Sequence, residues 1–486
     1  MSRSRIITAV LLSSVILSFA VTAGAQEKFP APANQIKLKL IKKPGTLYNI
    51  ISIQDFFPIK KNYGLALADA KPNTDDRGVY ILKLTKNGKS TVTDTFAEQL
   101  ESFPNLSAVM FSSPDSAGPA TAPRGLLFCG LEDEDYAWVK VLMAKFSSAG
   151  KFTSNPTEIL YLPLPTGFDE ILMNSVQTAV GPHSIAVAVS MEVYVDAAKQ
   201  SSIVARFFEM DFDGNIIGSI REIPFDPNKN QYAYFQKPIW SGMRWMVPAR
   251  VTEPGTTRRF SCQVVCVDSL VATAPISATD FSIEEIYDSG SPNKYISQVD
   301  FLPLYDGAGA AAQPAAGGMI NLLIHTLSDI PDHTAALSKS NNGSLVQQFQ
   351  NTGSKVRKPR LIKTKPWSRA LTVEQDMRIE DYREYYSRFL ALGADSYLAL
   401  RADHIERRSE VAAPSSAYLD EGRVILLSFE KKLRKIEELI TIDFKGEEYP
   451  GYWPLLAEKD GKYWLIVTTR DPEASKTHFY VGTLVL

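Results

Sequence analysis

The stretch EMDFDGNIIG, residues 209–218, holds oxygen-bearing side chains at a spacing that could serve a metal ion. Asp211, Asp213 and Asn215 alternate along it, as calcium ligands do in an EF-hand loop. Such a loop also needs Gly at its sixth position, and counted from Asp211 that position is Ile216. The flanking runs are rich in Ile, Val and Phe, so Asp-Gly between them is typical of a hairpin turn. We therefore expect a turn and no cofactor; calcium is the one alternative, and no motif supports it.

Other motifs for catalysis or metal binding are missing from the sequence. A zinc site needs three or four converging ligands. The histidines, which show neither an H-x-H nor an H-E-x-x-H spacing, are His183, His325, His333, His404 and His478. No G-x-S-x-G elbow, phosphate-binding P-loop or dinucleotide fingerprint occurs. These absences favour a non-catalytic protein, although distant residues can still converge at the axis of a ring-shaped fold.

Aromatic side chains are concentrated in the segments that separate runs of strand-like sequence. Tyr and Trp offer a large contact area with a polar group, which suits a sugar or peptide ligand. The candidate ligand-binding residues are Tyr232, Tyr234, Trp240, Tyr295, Tyr449, Tyr452 and Trp453. The alternative is that each of these rings packs inside the protein, between structural repeats.

A second candidate surface is the basic segment 354–369, which contains no acidic residue. An anionic partner, such as a phosphate surface or an acidic glycan, could contact its positive side chains. The residues expected to make that contact are Lys355, Arg357, Lys358 and Arg360. The alternative is a solvated connection whose charge is balanced by the acidic region 374–384 that follows it.

The N-terminus has the three parts of a secretory signal peptide. Two arginines precede an apolar run, residues 6–21, and an A-x-A cleavage site ends at Ala25. We expect residues 1–25 to be removed and the protein to be periplasmic or secreted; the alternative is an uncleaved membrane anchor. Although an exported protein can form disulfides, the three cysteines suggest no such framework and are expected to be small buried residues.

Hairpin-turn glycines recur along the chain at an almost constant spacing. Gly88, Gly150 and Gly214 each separate two strand-like runs, and they lie 62 and then 64 residues apart. Weaker copies of the turn are predicted near Ser269, near Gly343 and at residues 431–432. Self-similarity with a period of about 60 residues is the signature of a repeat architecture.

Each predicted hairpin is preceded by two further apolar runs, so that six units contain four strands each. A seventh unit, at the C-terminal end, contains only three. The missing strand is available at residues 35–43, where QIKLKLIKK alternates apolar and polar residues. Pairing of 35–43 with 477–486 would remove both unpaired edges and close a ring.

This fourfold strand rhythm, with its DFDGN-type turns, resembles that of the β-propeller superfamily. The resemblance covers residues 35–486 and implies an all-β fold of seven four-stranded blades; six or eight blades, or two β-domains, are the alternatives. Residues 26–34 are expected to be a linker, and about 350–390 an insertion between blades five and six. Within that insertion, the composition of 371–390 predicts a single helix.

The resemblance also implies where a site would lie. In the superfamily, the loops that join one blade to the next lie on the same face as the loops that join second to third strands. That face usually carries the functional site. Aromatic residues on that face imply an exported, non-catalytic propeller that binds a protein or glycan ligand. The alternatives are an enzyme that acts as a hydrolase or lyase on glycans or lactones at an axial site, and a structural component of a cell-envelope complex.

The net charge and the signal peptide limit which partners the sequence predicts. The formal net charge of −2 offers no basic field for nucleic acid. The chain is expected to be a monomer, without a transmembrane domain once the signal has been removed. Composition does not decide whether it is an enzyme.

Overall fold

Thirty-one β-strands and no helix make up the part of the chain that the structure describes. In this computed structural model the strands form seven antiparallel sheets that follow one another along the sequence. The described residues are 38–42, 48–72, 77–100, 105–112, 123–133, 135–198, 200–226, 232–253, 259–271, 281–288, 294–302, 319–328, 343–350, 352–356, 358, 360–363, 377–392, 396–409, 418–430, 436–444, 449–450, 454–471 and 476–486.

Each sheet is one blade of a seven-bladed β-propeller, which confirms the predicted fold class. The first strand of each blade contacts the inner strands of its neighbours and lies innermost, beside the central channel. In chain order, the strands are β1 (Lys39–Leu40); in blade one, β2 (Tyr48–Lys60), β3 (Tyr63–Pro72), β4 (Arg77–Thr85) and β5 (Ser90–Leu100); in blade two, β6 (Asn105–Phe111), β7 (Arg124–Glu132), β8 (Trp138–Ser147) and β9 (Thr157–Pro163); in blade three, β10 (Glu170–Val180), β11 (Ile185–Val195), β12 (Gln200–Met210) and β13 (Ile216–Glu222).

The remaining four blades have the same strand order, but in blades four, six and seven the inner strand is divided into two pieces. They are, in blade four, β14 (Tyr232–Phe235), β15 (Ile239–Trp240), β16 (Arg244–Glu253), β17 (Arg259–Asp268) and β18 (Phe281–Asp288); in blade five, β19 (Lys294–Phe301), β20 (Met319–Ser328), β21 (Gly343–Gln350) and β22 (Arg360–Lys363); in blade six, β23 (Met377–Tyr386), β24 (Leu390–Leu392), β25 (Ser396–Ser409), β26 (Tyr418–Glu430) and β27 (Ile436–Asp443); in blade seven, β28 (Tyr449–Pro450), β29 (Leu455–Lys459), β30 (Lys462–Asp471) and β31 (Lys476–Val485).

The ring is closed by the pairing that the sequence predicts. β1 lies antiparallel to β31, with Lys39 opposite Val481 and Leu40 opposite Tyr480, and so forms the outermost strand of blade seven. Of the predicted segment 35–43, the paired strand described here is Lys39–Leu40. The first and last described strands therefore share one sheet, and the count is seven blades rather than six or eight.

Beyond β1 the chain crosses from blade seven to blade one. The Ile41 N–H donates to the Phe479 carbonyl at 2.7 Å, and the Lys42 N–H donates to the Gly88 carbonyl at 2.8 Å. The Ser90 hydroxyl donates to the Lys42 carbonyl. Ile41 is buried in an apolar cluster drawn from both blades, so the crossing is held by hydrogen bonds and by packing.

The opening stretch is a hairpin turn whose oxygens are used internally, as predicted. Asp211 Oδ1 accepts hydrogen bonds from the backbone N–H of Asp213 and of Asn215, both at 2.8 Å. Gly214 has φ of 84°, a conformation that Gly adopts without steric cost. Partial burial raises the pKa of Asp211, but the hydrogen bonds from Asn215, Asp213 and Gly214 outweigh it and leave the pKa below its ordinary value.

The same turn recurs in blades one and two. Gly88 and Gly150 have φ of 78° and 79°. In place of Asp211, the hydroxyl oxygens of Thr85 and Ser147 accept from the backbone N–H four residues on, at 3.2 and 3.4 Å. A short polar side chain at the first position thus caps each turn, which confirms the predicted repeat.

Two local predictions are wrong. The turn assigned to Gly343 lies instead at Gly353, which has φ of 91° and donates to the Gln350 carbonyl at 2.9 Å; Gly343 begins strand β21. The helix predicted for 371–390 is replaced by β23 and β24, which pair with β25. Its helix-forming composition is overridden because the segment fills the innermost position of a sheet, where backbone pairing and side-chain packing are available.

Apolar clusters between adjacent blades form the core. One of them joins Leu65 and Leu67 of blade one to Leu127 and Phe146 of blade two. The cysteines are buried within such clusters and unpaired, as expected: Cys129, Cys262 and Cys266. Among the residues described, no helix has the length and apolar character needed to cross a membrane. The predicted signal peptide, residues 1–25, lies outside the described residues.

Substituting Gly88 tests the closure. A Cβ at Gly88 would lie 2.3 Å from the Leu40 carbonyl oxygen, whereas a Cβ at Gly461, with φ of 72°, would meet no atom within 4 Å. Both Ala variants carry the backbone strain of a left-handed residue, about 1–2 kcal/mol. Gly88→Ala should lose a further ~1–3 kcal/mol through overpacking against β1.

Differential scanning calorimetry of the two variants checks this expectation. Gly88→Ala should unfold at a clearly lower temperature than Gly461→Ala. Equal unfolding temperatures would show that the contact between Leu40 and the turn at Gly88 does not hold the ring closed.

Candidate functional site

Matching bulges interrupt the inner strands of blades four and six. In blade four, Phe235 pairs with Ala249 and Ile239 pairs with Met246, so residues 236–238 face only two residues of β16. In blade six, Tyr386 pairs with Arg401 and Leu390 pairs with Leu398, so 387–389 face only two residues of β25. The middle residues of the bulges are Lys237 and Arg388. A bulge leaves its extra residue outside the ladder and re-aims the side chain.

Hydrogen bonds fix both bulges. The Gln236 N–H donates to the Pro248 carbonyl at 2.9 Å, and the Ser387 N–H donates to the Leu400 carbonyl at 2.8 Å. The Ser387 hydroxyl accepts from the Leu400 N–H at 2.9 Å. Pro238, which cannot donate to a ladder, follows Lys237 directly. The positions of the two cations are thus set by the backbone rather than by flexible loops.

Charged residues from three other blades act on the acidity of Lys237. Its side chain is under the electrostatic influence of Arg388, Asp55 and Asp300. Asp55 lies on the inner strand of blade one and Asp300 on that of blade five. In a ring of seven, blades one and four are on opposite sides, so Asp55 can act on Lys237 only across the central channel. We call Asp55, Lys237, Asp300 and Arg388 the axial charge cluster.

The cluster changes the acidity of Lys237. The pKa of this amine is lowered from 10.5 to about 8, first by burial and then by the positive charge of Arg388, while Asp55 and Asp300 oppose the shift. Lys237 is half-buried, and Arg388 is exposed. A lysine with such a pKa is present partly as the free amine near neutral pH, and only the free amine can accept a proton.

A buried ionic network supports the bulge of blade six. Arg401 Nε lies 2.8 Å from Asp403 Oδ1, and Arg423 Nε lies 2.8 Å from Asp403 Oδ2. Glu384 Oε1 is 3.9 Å from an Arg401 guanidinium nitrogen. Two carboxylates and two guanidinium groups balance, and all four side chains are buried. These four side chains therefore add no net charge beside the bulge.

An uncharged stack packs beside this network. The His325 ring, from blade five, lies parallel to the Tyr386 ring with centroids 4.0 Å apart. Burial and the charge of Arg401 lower the pKa of His325 to about 3. His325 is therefore neutral at physiological pH and adds no charge to the channel.

The axial charge cluster lies toward one end of the channel. Asp55 and Asp300 are in the second half of their strands, and the bulges of Lys237 and Arg388 precede the hairpins that lead to β16 and β25. This is the end where inner strands turn into second strands. The sequence analysis predicted a site on the opposite face of the ring, which carries the connections between blades.

The predicted aromatic residues are spread around the ring. Tyr234 lies 5.5 Å from the Arg250 guanidinium carbon, Trp240 packs edge-on against Trp245 at 5.4 Å, and Tyr449 stacks on His404 at 4.0 Å. The side chains of Tyr232 and Tyr295, and the whole of Tyr452 and Trp453, lie outside the described part of the chain. Their role in ligand binding stays a prediction.

The predicted basic residues lie on blade five, away from the channel. Lys355 Nζ is 3.4 Å from Glu284 Oε2 and donates to the Glu285 carbonyl at 2.7 Å. Lys358 and Arg360 are exposed, and Arg357 is not among the described residues. Contact of this segment with an anion also stays a prediction.

Sequence reasoning missed the axial charge cluster because its members are far apart in the chain. One local signal was present: Lys-Pro inside the apolar run YAYFQKPIW, since Pro in an inner strand marks a bulge. The matching residue Arg388 fell within the segment predicted to be a helix. Among the described residues, no group of three or more His, Cys, Asp or Glu side chains is arranged to hold a metal ion.

Comparison with known proteins finds likeness in structure alone. No protein-family model matches the chain, and no curated protein matches it. A solved α-L-arabinanase of Penicillium chrysogenum, complexed with arabinobiose, aligns over 92% of this chain and 98% of its own, with 10% identity and a TM-score of 0.40. An α-L-arabinofuranosidase of Fusarium graminearum aligns over 93% and 98%, with 9% identity and a TM-score of 0.40. Polysaccharide lyase Uly1 aligns over 90% and 91%, with 10% identity and a TM-score of 0.46.

The prediction of a non-catalytic propeller is contradicted, since each of the three structures is named as an enzyme; export stays a prediction. The prediction rested on missing sequence motifs. A ring fold does not need them, because residues from separate blades can converge in its channel. The axial charge cluster is such a convergence.

The acidity of Lys237 can be measured directly. Competitive acetylation across a pH series, read by mass spectrometry of the peptide that contains Lys237, should give a pKa of about 8. Arg388→Gln should raise that value because a positive neighbour is removed, and Asp55→Asn should lower it because a negative one is removed. Asp443→Asn, on the outer strand of blade six, is the control and should leave it unchanged.

Shifts in the same direction for Arg388→Gln and Asp55→Asn would disprove the axial charge cluster. A Lys237 that titrates like an exposed lysine would do the same.

Proposed function

We propose that this protein is an exported glycan-degrading enzyme that cleaves an acidic polysaccharide by β-elimination in its central channel. The observation that carries the proposal is the convergence of Lys237, Arg388, Asp55 and Asp300 from four blades. The predicted signal peptide supports action outside the cytoplasm, where such polymers are met.

The elimination needs two groups that the cluster can supply. Arg388 binds the carboxylate of a uronate unit and stabilises the negative charge that develops as the neighbouring carbon loses its proton. Lys237, as the free amine, accepts that C5 proton. The C4–O bond then breaks, a C4–C5 double bond forms, and the departing oxygen takes a proton from the Lys237 ammonium or from water.

The two carboxylates have a separate task. Asp55 and Asp300 raise the pKa of Lys237 against the effects of burial and of Arg388. Without the two carboxylates, the pKa of Lys237 would be lower and its amine would be a weaker base. With more negative charge nearby, the pKa would be higher and the amine would stay protonated. Both also offer hydrogen-bond acceptors for sugar hydroxyls.

Hydrolysis fits the channel less well. A glycosidase usually needs one carboxylic acid that protonates the leaving group and a second, ionised carboxylate. Here the two carboxylates are combined with two cations, one of them an amine able to accept a proton. This combination favours elimination at a uronate over hydrolysis of a neutral sugar.

The test is depolymerisation of a panel of uronate polysaccharides, followed by the ultraviolet absorbance of the unsaturated product. At least one polymer should be cleaved, and kcat/KM should rise with pH through about 8 as Lys237 loses its proton. Lys237→Arg keeps the charge but cannot act as a base, so kcat should fall by about 10²–10⁴-fold. Arg388→Gln should lower kcat and raise KM together.

Controls separate elimination from other outcomes. Lys140→Gln removes a cation of β8, the third strand of blade two, and should leave the activity unchanged. New reducing ends without an unsaturated product would indicate a hydrolase, and cleavage of a neutral arabinan would point the same way. Full activity of Lys237→Arg would refute the role given to Lys237.

A further inference from the structure

Lysine side chains surround a cavity at the seam between blades seven and one, which we name the seam pocket. Its volume is about 690 Å³, and its lining residues are Lys42, Asn62, Thr85, Lys86, Asn87 and Lys89. Lys42 follows β1, the strand that closes the ring, while the other residues come from two turns of blade one. The pocket is therefore complete only in the closed ring.

Backbone hydrogen bonds hold the frame of the seam pocket. The Lys42 N–H donates to the Gly88 carbonyl at 2.8 Å, and the Lys86 N–H donates to the Asn62 carbonyl at 3.3 Å. The Lys89 N–H donates to Thr85 Oγ1 at 3.2 Å. The frame is fixed, whereas the side chains of Lys42, Lys86 and Lys89 are exposed.

The positive charges of this region are close enough to repel one another. Lys462, from blade seven, donates through Nζ to the Lys61 carbonyl at 2.7 Å. Burial first, and then the charges of Lys86 and Lys61, lower the pKa of Lys462. Lys42, Lys86 and Lys89 form no ion pair with another described residue. An anion placed among them would relieve the repulsion.

We infer that the seam pocket binds the carboxylate or sulfate groups of an acidic glycan. Lysines attract the anionic substituents, and Asn62, Asn87 and Thr85 offer hydrogen-bonding groups for sugar hydroxyls. A cavity of 690 Å³ lies within the roughly 300–1,000 Å³ usual for small-ligand sites. A volume of this size has room for a sugar unit of a polymer, whereas a flat membrane surface would leave it unfilled.

The choice of a glycan rests on the proposed function. Asn62 belongs to the hairpin that follows the inner strand of blade one, and Lys237 and Arg388 lie near the corresponding hairpins of blades four and six. The seam pocket and the axial charge cluster thus open toward the same end of the ring. A long polymer held at the seam would lie across the face into which the channel opens.

Binding can be measured apart from catalysis in the Lys237→Arg background. The probes are a carboxylated oligogalacturonate, a sulfated oligosaccharide of equal length and neutral maltohexaose, titrated by calorimetry at low salt. At least one acidic probe should bind and maltohexaose should not. Lys86→Gln with Lys89→Gln should weaken that binding by about tenfold or more.

A matched pair of substitutions controls for net charge. Lys140→Gln with Lys145→Gln removes the same charge from β8, the third strand of blade two, and should leave the affinity unchanged. Equal losses in the two double variants, or no loss in the first, would overturn the inference. So would binding of phosphatidylglycerol vesicles or inorganic phosphate that depends on Lys86 and Lys89 when neither acidic oligosaccharide binds.

The binding readout also separates the two proposals. Acidic oligosaccharides that bind through Lys86 and Lys89 support the seam pocket even if no polymer is cleaved. Both substitutions are at exposed turn residues, and an unchanged unfolding temperature verifies that each double variant is folded.

Discussion

Pairing of β1 with β31 is the contact on which the rest of the structure depends, because it joins the first and last described strands in one sheet. Without it, β31 would present an unpaired edge, and such edges invite pairing with other chains. The entropy of closing so long a loop grows only slowly with its length. Burial of Ile41 against Phe56 of blade one and Trp464 of blade seven offsets part of that cost. The closed ring is therefore stabilised by side-chain packing as well as by backbone hydrogen bonds.

A closed ring restricts where polar side chains can be used. In a regular inner strand, successive side chains point toward the two neighbouring blades and become buried between them. Polar groups of the other strands can also be satisfied between blades, as at Glu209 on β12, the third strand of blade three. It accepts from the hydroxyls of Ser184 and Ser269, both at 2.7 Å, and from the Leu270 N–H at 2.8 Å, and so joins blade three to blade four. The bulges at Lys237 and Arg388 re-aim these two side chains, because the extra residue of each bulge lies outside the ladder.

The sequence predicted the features that rest on local chemistry and on repetition. The turns at Gly88, Gly150 and Gly214, the seven blades and the closing strand all followed from short patterns. Gly343 and Gly353 show the limit, because both follow short polar runs and only strand register distinguishes them. The segment 377–386 shows a second limit, since its composition favours a helix and its place in the sheet decides otherwise. The axial charge cluster was out of reach because it depends on which strands are innermost and where their ladders slip by one residue.

The number of blades also bears on the chemistry of the channel. Asp55 and Lys237 belong to blades on opposite sides of the ring, so their separation depends on how many inner strands surround the axis. One blade fewer would bring inner strands closer, and one more would move them apart, with a corresponding change in the electrostatic interaction between charges across the channel. The two cations are held by paired strands on both sides of each bulge, so neither can move far to compensate.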